Sequence, residues 1–404
     1  MPNRRISFRQ ILAPMDASMF MDRFYGKRPA HIKGEARRFE HLYGWERLNQ
    51  MLNATPRWDA PRLRLVRDGN PLPPQMFSRP AHDETAGTVM RAVPALVSKY
   101  LAEGATINLN EVEQLDEGLA AISAAFALAL NCRSNCNLYL SGKDVVAFAS
   151  HFDPTDVFVL HIAGRKKWRI YENRFEAPAY LDGYHQGSFP QDYHEVHKGR
   201  VILQPTLAPG DVLYVPGGFY HDAMALTDMS LHLTFSIEQA RGAVLGELLE
   251  SVMADDPLFR GPLPDPDDEQ AHAAHVQTLV ENIARRMAMP DVIEHIRARQ
   301  KNQAFWDIPG YTLPSAALED VYRVRTIQVK VNKRGASVSL EMGGRSADVP
   351  DELAPLVEWI LDGDAFTSAE FSAAFSDHSP DNLRAAVQLL MTLGAVESIA
   401  PYLE

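Results

Sequence analysis

The stretches HFDPTDVFVLHIAGRKKWRIY, residues 151–171, and GDVLYVPGGFYH, residues 210–221, decide the fold of this 404-residue chain. Both place short apolar runs with alternating polar residues beside Gly and Pro turns, which is typical of antiparallel strands. Pro209-Gly210-Asp211 leads into one apolar strand, and Pro216-Gly217-Gly218 ends it just before His221. A ligand projecting from the rim of a jelly-roll barrel has this layout, so the sequence predicts a mainly β domain built as a double-stranded β-helix.

His151, Asp153 and His221 are the predicted metal ligands. Residues two apart on a strand point to the same face, so His151 and Asp153 could bind one ion together. A second His, brought back by a later antiparallel strand, completes two imidazoles and one carboxylate. That is the ligand set of non-haem Fe(II) oxygenases, which leaves positions open for a co-substrate and dioxygen. The alternative is a group of unrelated hydrogen-bonded histidines and a turn Asp.

Lys166 is the predicted cation for the far carboxylate of 2-oxoglutarate, the keto-acid that would complete such a site. It follows the turn Ala163-Gly164-Arg165, where a barrel strand would start back across the pocket. Three side chains on neighbouring strands could add hydrogen bonds around this carboxylate: Asn137, Tyr139 and Thr234. The alternative is a solvated turn lysine, with Arg165 or Lys167 as competitors for the role.

These motifs resemble the JmjC-type ribosomal oxygenases of the cupin superfamily. The similar stretches are HFDPTDVFVLHIAGRKKWRIY, GDVLYVPGGFYHDA, SLHLTFS and the N-terminal FMDRFYGKRPAHIKG. The resemblance implies iron bound by the two His and the Asp, and 2-oxoglutarate bound by Lys166 with Asn137, Tyr139 and Thr234 beside it. It also implies hydroxylation of an Arg or His side chain in a ribosomal protein, and a homodimer formed through a helical region.

His161 departs from that family, in which many members carry Gln at this position. If the strand alternated without interruption from the predicted ligands, His161 would also face the pocket. It is then either a hydrogen-bonded barrel histidine or a residue that reshapes substrate or co-substrate contacts. His232, in phase with Thr234, either lines the edge of the pocket or serves in core packing, and core packing is the role we expect. His194 and His197 are expected in a surface or lid loop.

Three regions differ in pattern: residues 1–238, 239–319 and 320–404. The first is expected to be the JmjC/cupin catalytic domain, with one helix near Gln114–Leu130. The second has helical spacing, and its helices either form a dimer interface or pack on their own chain. The third has the order strand, strand, helix, helix, helix, which is winged-helix-like. The predicted strands of the first region are Ala105–Val112, Asn135–Leu140, Asp156–Ile162, Lys167–Tyr171, Val201–Leu207, Asp211–Val215 and Ser230–Ile237.

Composition limits the location. The apolar fraction of 46% and the charged fraction of 23% are ordinary for a globular protein. No run approaches the roughly 20 apolar residues of a membrane span. Asp16 interrupts the N-terminal apolar residues, so no secretory signal is expected. Cys132 and Cys136 are too few for a disulfide framework, and we expect reduced thiols in the cytoplasm.

Charge limits the partners. The net charge of −12 argues against binding to a nucleic-acid backbone and suits a basic partner, such as a cationic protein tail. Residues 321–404 hold seven Lys and Arg against twelve Asp and Glu, which is the wrong sign for a DNA-binding winged helix.

The expected function is Fe(II)- and 2-oxoglutarate-dependent hydroxylation of a protein or peptide side chain, with dioxygen as the second co-substrate. The first alternative is the same chemistry on a small molecule or a natural-product peptide. The second is a non-oxidative metal-binding cupin, which the combination of the three ligands with Lys166 disfavours. A DNA-binding scaffold is the weakest alternative because the chain is acidic.

Overall fold

The computed structural model describes residues 6–54, 58–59, 62–67, 69–145, 148–301, 320–325, 328–334 and 337–399. Residues 302–319 of the predicted helical region and residues 326–327, 335–336 and 400–404 of the last region lie outside the described residues. The described helices are α1 (Phe8–Leu12), α2 (Ala17–Arg23), α3 (Trp45–Ala54), α4 (Pro94–Ala102), α5 (Glu117–Leu130), α6 (Gln191–His197), α7 (Val244–Ala254), α8 (Pro257–Arg260), α9 (Glu269–Met287), α10 (Pro290–Lys301), α11 (Ala354–Leu361), α12 (Ser368–Ala374) and α13 (Pro380–Leu393).

The strands lie between and after groups of these helices along the chain. They are β1 (Ala30–Ile32), β2 (Leu63–Arg67), β3 (Asn70–Pro71), β4 (Ser78–Asp83), β5 (Gly87–Ala92), β6 (Thr106–Leu109), β7 (Arg133–Ser141), β8 (Asp156–Ala163), β9 (Lys166–Arg174), β10 (Val201–Leu203), β11 (Thr206–Leu207), β12 (Val212–Val215), β13 (Phe219–Ala225), β14 (Ser230–Glu238), β15 (Val321–Val324), β16 (Lys330–Arg334), β17 (Ser337–Met342), β18 (Arg345–Val349), β19 (Ala365–Thr367) and β20 (Val396–Ile399).

Two antiparallel sheets enclose the interior of the first region. The larger has the order β1-β12-β8-β14-β7-β6-β2-β3, and the smaller has β9 paired with β10 and β11 on one side and β13 on the other. Side chains from both sheets share one apolar cluster, which includes Val159, Leu213, Trp168 and Ile170. The sheets therefore pack face to face, as in a jelly-roll fold.

Helix α5 covers the outer face of the larger sheet. The ring of Phe126 lies 4.6 Å from that of Phe158 and 5.3 Å from that of Phe235. The helix begins at Glu117, three residues after the predicted start, because Asp116 accepts the hydrogen bond of an N-cap from Leu119 N. Aromatic pairs at these distances join the helix to the strands that form the barrel wall.

The predicted strands are found with shifted ends. The predicted strand over 201–207 is two short strands, β10 and β11, both paired to β9. Strand β13 was not predicted, since Pro216-Gly217-Gly218 was expected to end the strand just before His221. In the structure the chain resumes strand pairing at Phe219, so His221 lies within β13 rather than after a strand.

The two regions that follow residue 238 differ in how far their apolar side chains are buried. No side chain of α9 is buried, although the helix carries apolar residues. Residues 320–399 have a separate apolar core around Leu356, Ile360 and Leu390. This C-terminal region contacts the first through Arg323, whose Nε donates to Leu128 O at 3.0 Å. No helix in the described part of the chain is long and apolar enough to cross a membrane.

Candidate active site

The structure brings the three predicted metal ligands together. The ligand atoms of His151, Asp153 and His221 lie within 4.8 Å of one another. The Nε2 of His151 is 3.9 Å from one oxygen of Asp153, and the Nε2 of His221 is 3.4 Å from the other. Two imidazoles and one carboxylate can thus donate to one divalent cation from one side.

The outer nitrogen of each ring is held by the backbone. His151 Nδ1 lies 2.8 Å from Ala149 O, and His221 Nδ1 lies 3.0 Å from Phe219 O. A carbonyl can only accept, so each Nδ1 carries a proton and donates it. These bonds direct both Nε2 atoms toward Asp153, which is how histidine ligands of metals are usually oriented.

The pKa shifts of His151, Asp153 and His221 favour binding of a cation. Burial lowers the pKa of His151, and the neighbouring His221 lowers it further. Burial raises the pKa of Asp153, but its hydrogen bond to His221 and the charges of both rings outweigh this and leave the pKa below its usual range. Burial likewise lowers the pKa of His221, and the Asp153 carboxylate reverses the shift. A divalent cation would therefore displace a proton shared between His221 and Asp153.

The reason given for pairing His151 with Asp153 was wrong. The two residues do not lie on a strand, because β8 begins only at Asp156. His151 instead forms an isolated β-bridge with His221. The bridge holds the two ligand-bearing segments side by side, which brings Asp153 between the rings without strand alternation.

Lys166 is the buried cation of the barrel. Its side chain comes from the first residue of β9 and is 2% exposed, whereas Arg165 is exposed and Lys167 is half-buried. Lys166 Nζ donates to Ser141 Oγ at 3.2 Å, and Thr106 Oγ1 bonds the same hydroxyl at 3.0 Å. Within the described residues no carboxylate forms an ion pair with this ammonium. Ser141 and Thr106 were not predicted, and Ser141 continues the period-2 series of Asn137 and Tyr139 on β7.

The other predicted co-substrate residues, Asn137, Tyr139 and Thr234, lie on the neighbouring strands β7 and β14. Thr234 on β14 is opposite Asn137 on β7, and His232 is opposite Tyr139 on one side and His161 on the other. The ring of His232 is stacked on that of Tyr139 at 4.9 Å and is parallel to that of His161 at 6.4 Å. Asn137 also accepts a bond from Glu111 N through Oδ1 at 3.3 Å.

His161 and His232 both belong to the interior. Burial lowers the pKa of His161 to about 4 and that of His232 well below its ordinary value, and the Lys166 charge acts in the same direction. His161 Nε2 donates to Gly164 O at 3.1 Å, which fits the interpretation of a hydrogen-bonded barrel histidine. The prediction that His161 faces the pocket assumed one continuous strand from His151, but residues 151–155 do not form a strand.

Trp168 lies between the predicted metal ligand His221 and the interior residue His232. Its ring lies 6.0 Å from that of His221 and 5.6 Å from that of His232. Its Nε1, like Nδ1 of His161 and of His232, is buried and has no hydrogen-bond partner among the described residues. Buried polar atoms are normally satisfied, so these nitrogens and Lys166 fit a polar ligand such as a keto-acid carboxylate.

The segment with His194 and His197 is not the predicted irregular loop. It forms the short helix α6, and His194 is buried against Phe152 with ring centroids 5.7 Å apart. His197 stacks on Tyr193 at 3.8 Å. Neither imidazole belongs to the group of predicted metal ligands, and the spacing of His194 and His197 is that of one helical turn.

Residues 110–245 match a family model described as JmjC domain, so this stretch of the chain is similar to a JmjC domain. The resemblance found in the sequence motifs is thereby confirmed. Two relatives are each described as a bifunctional lysine-specific demethylase and histidyl-hydroxylase NO66. The one from Dictyostelium discoideum is 25% identical over 258 residues, which are 60% of this chain and 45% of that protein. The one from Drosophila simulans is 32% identical over 171 residues, 42% of this chain and 19% of that protein.

The chain thus spans less than half the length of these curated relatives. Solved structures of Escherichia coli YcfD match over 95% of this chain and 98% of theirs. An X-ray structure of that protein has a TM-score of 0.53 at 18% identity. The structure of YcfD as a ribosomal oxygenase in complex with cobalt and 2-oxoglutarate has a TM-score of 0.50 at 20% identity. The likeness shows that the fold is shared along nearly the whole chain.

Proposed function

We propose that this chain is an Fe(II)- and 2-oxoglutarate-dependent oxygenase that hydroxylates an Arg or His side chain of a protein. One observation carries the proposal: the barrel that holds the His/Asp/His cluster also holds a buried lysine without a carboxylate partner among the described residues. Iron, 2-oxoglutarate and dioxygen, when bound, supply an oxidant that turns a C–H bond into an alcohol while the keto-acid becomes succinate and carbon dioxide.

Each side chain then has a defined task. His151, Asp153 and His221 hold Fe(II) and leave positions open for the co-substrates. Lys166, oriented by Ser141, binds the far carboxylate of 2-oxoglutarate through a charge-assisted hydrogen bond. Three neighbours add polar contacts in the same pocket: Asn137, Tyr139 and Thr234. The rings around them exclude water from the reaction.

A protein substrate of basic character fits this chain. The relatives are described as histidyl-hydroxylases and the structural neighbour as a ribosomal oxygenase. The net charge of −12 attracts cationic partners, and ribosomal proteins are cationic because they bind RNA. A ribosomal-protein substrate would also place the enzyme in the cytoplasm.

The same proposal includes a homodimer and a winged-helix-like tail. Helices α7 to α10 expose apolar side chains to solvent, among them Leu245, Val276, Val280 and Ile293. A second copy of the helical region, residues 239–319, would cover them. The described part of residues 320–404 combines small antiparallel sheets with α11, α12 and α13, and the acidic charge of this region favours a protein contact over DNA.

The test is succinate formation together with mass spectrometry of the substrate. We expect the purified chain with Fe(II), 2-oxoglutarate and dioxygen to add one oxygen atom to a ribosomal protein. Asp153→Ala should abolish both succinate and product, since the metal loses its only carboxylate ligand. Asp377→Ala, which removes an exposed carboxylate of the C-terminal region, should retain both.

Full turnover by Asp153→Ala would refute the metal assignment. Succinate formed without any modified ribosomal protein, in cells or in vitro, would instead favour the small-molecule or peptide alternative. No succinate under any condition, with metal bound, would favour a non-oxidative cupin.

A further inference from the structure

The two histidine ligands meet at a place with little regular pairing. His151 N donates to His221 O at 3.1 Å, and His221 N donates to His151 O at 2.8 Å. These are the two bonds of an isolated bridge. Because β8 begins only at Asp156, the segment that carries His151 is not held by a strand ladder on that side. The distance between the two rings therefore depends on contacts other than the sheet.

Asp222 supplies such a contact. It follows His221 on β13, so its side chain points to the opposite face of the strand and away from the metal cluster. Its carboxylate is buried and accepts three hydrogen bonds: from Ser150 Oγ at 2.8 Å, Tyr171 OH at 2.6 Å and Arg169 Nε at 2.7 Å. Ser150 directly precedes His151. Asp222, the residue after His221, thus bonds Ser150, the residue before His151.

Ser150 is in turn held by α6 and the residue that follows it. Lys198 Nζ donates to Ser150 Oγ at 3.0 Å, and Gln191 Nε2 donates to Ser150 O at 3.0 Å. The hydroxyl donates to Asp222 and accepts from Lys198 at the same time, as a serine side chain can. Both oxygens of Ser150 thus have partners, and these bonds tie the segment before His151 to Asp222, Gln191 and Lys198.

We propose that Asp222 is a positioning residue that sets the separation of His151 and His221 and thereby the affinity for a divalent metal. The inference rests on the metal site of the proposed function and extends it to a residue that does not touch the metal. Outer partners of metal ligands typically change metal affinity by about 10- to 100-fold when they are replaced. Asp222 holds both ligand segments at once, so we expect an effect in that range.

The experiment is a titration of the purified full chain with Co(II) against a competing chelator. Asp222→Asn keeps the size of the side chain and removes its charge. We expect it to weaken Co(II) binding by roughly 10- to 100-fold and to change the visible spectrum of the bound ion, because the ligand geometry changes. Ser150→Ala should produce a smaller change of the same kind, and it serves if Asp222→Asn fails to fold.

Asp116→Asn is the matched control. Asp116 is also a buried carboxylate paired with an arginine, at 2.8 Å from Arg47 Nε, but it caps α5 outside the barrel. We expect this variant to lose thermal stability while its Co(II) affinity and spectrum stay those of the wild type. A purely structural role of Asp222 would make the two variants alike.

Co(II) affinity within about threefold of the wild type, with an unchanged spectrum, in both Asp222→Asn and Ser150→Ala would overturn this inference. Absence of Co(II) binding by the wild type would overturn the proposed metal site itself. The two failures are thus distinguishable.

Discussion

Lys166 bears an ammonium group where burial opposes its charge. Burial lowers the pKa of Lys166 to about 7, and the only hydrogen bond from its Nζ among the described residues goes to the Ser141 hydroxyl. A carboxylate arriving beside it favours the charged form and raises the pKa again. Binding of a keto-acid therefore takes up a proton whenever the pH is above about 7.

This linkage predicts the pH dependence of 2-oxoglutarate binding. The free protein must protonate Lys166 first, so affinity is highest below the free pKa and falls as the pH rises through it. With a free pKa of about 7, the Kd should rise roughly tenfold between pH 6 and pH 8. The measurement is calorimetric titration of protein saturated with Co(II), so that proton loss from the histidine ligands does not contribute.

Lys166→Met is the control for this prediction. It removes the charge at similar length, and it should bind 2-oxoglutarate about 10- to 100-fold more weakly than the wild type at pH 6, with no further fall toward pH 8. Equal pH profiles for the two proteins would show that Lys166 does not contact the co-substrate.

Single residues were predictable where their chemistry was local or their spacing regular. His151, Asp153, His221 and Lys166 are marked by residue type and by the turns around them. Asp222 was not found, because its role depends on Ser150, which is 72 positions away in the chain. The sequence alone does not indicate which residue a carboxylate next to a histidine will hydrogen-bond.

Among the elements, the turn from β8 to β9 is the one that delivers Lys166 to the interior. Gly164 lies at its centre with a φ of +72°, and a Cβ there would overlap the carbonyl oxygen of Met229. His161 Nε2 also bonds the carbonyl of Gly164. The turn is therefore packed on both sides, and its backbone path fixes where β9 starts.

Gly164→Ala should displace this turn. A side chain at positive φ costs about 1–2 kcal/mol, and the overlap with Met229 adds to that cost. Since Lys166 moves with the turn and its bond to a carboxylate is worth about 1.5–3 kcal/mol, the Kd of 2-oxoglutarate should rise by roughly tenfold or more. The readouts are the free energy of unfolding and the Kd of 2-oxoglutarate.

Gly87→Ala provides the comparison, because Gly87 has a φ of +75° and a methyl group added there would meet nothing within 4 Å. It should be destabilised by the positive φ alone and should bind 2-oxoglutarate normally. If both variants bind the co-substrate alike, the turn does not position Lys166.

The strands were predictable where polar and apolar residues alternate, as in β7 and β14, or where apolar residues form a short run, as in β8. The barrel's smaller sheet was harder to predict. Strand β13 follows a Pro-Gly-Gly turn and pairs with β9 through an irregular register between Phe219 and His221. On one face of β13, His221 points to the other predicted metal ligands, and on the opposite face Asp222 binds Ser150, Arg169 and Tyr171. Because each face of β13 carries a polar residue that makes tertiary contacts, the sequence of the strand does not alternate between polar and apolar residues.

For the whole molecule, the exposed helices form the proposed dimer interface. Val276 and Val280 lie one turn apart on α9, and they are 51% and 58% exposed. Replacing both with Glu should shift the protein from dimer to monomer in sedimentation velocity, because burial of each valine stabilises an interface by about 1.5–3 kcal/mol. Val331→Glu, at an exposed position in the C-terminal region, should leave the dimer intact. A wild-type monomer at all concentrations would contradict the interface.

The two ends of the molecule also share a hydrogen bond. Phe8 N, at the start of α1, donates to Asp364 Oδ2 at 2.6 Å across 356 positions of sequence. On a ribosome that adds about 5–20 residues per second, the partner of this buried amide is made roughly 20–70 s after the amide itself. Until then Ser7 and Gln10 can form the capping box of α1, but the amide of Phe8 lacks its carboxylate partner. The N-terminal helix is therefore among the last parts of the nascent chain to reach its final state.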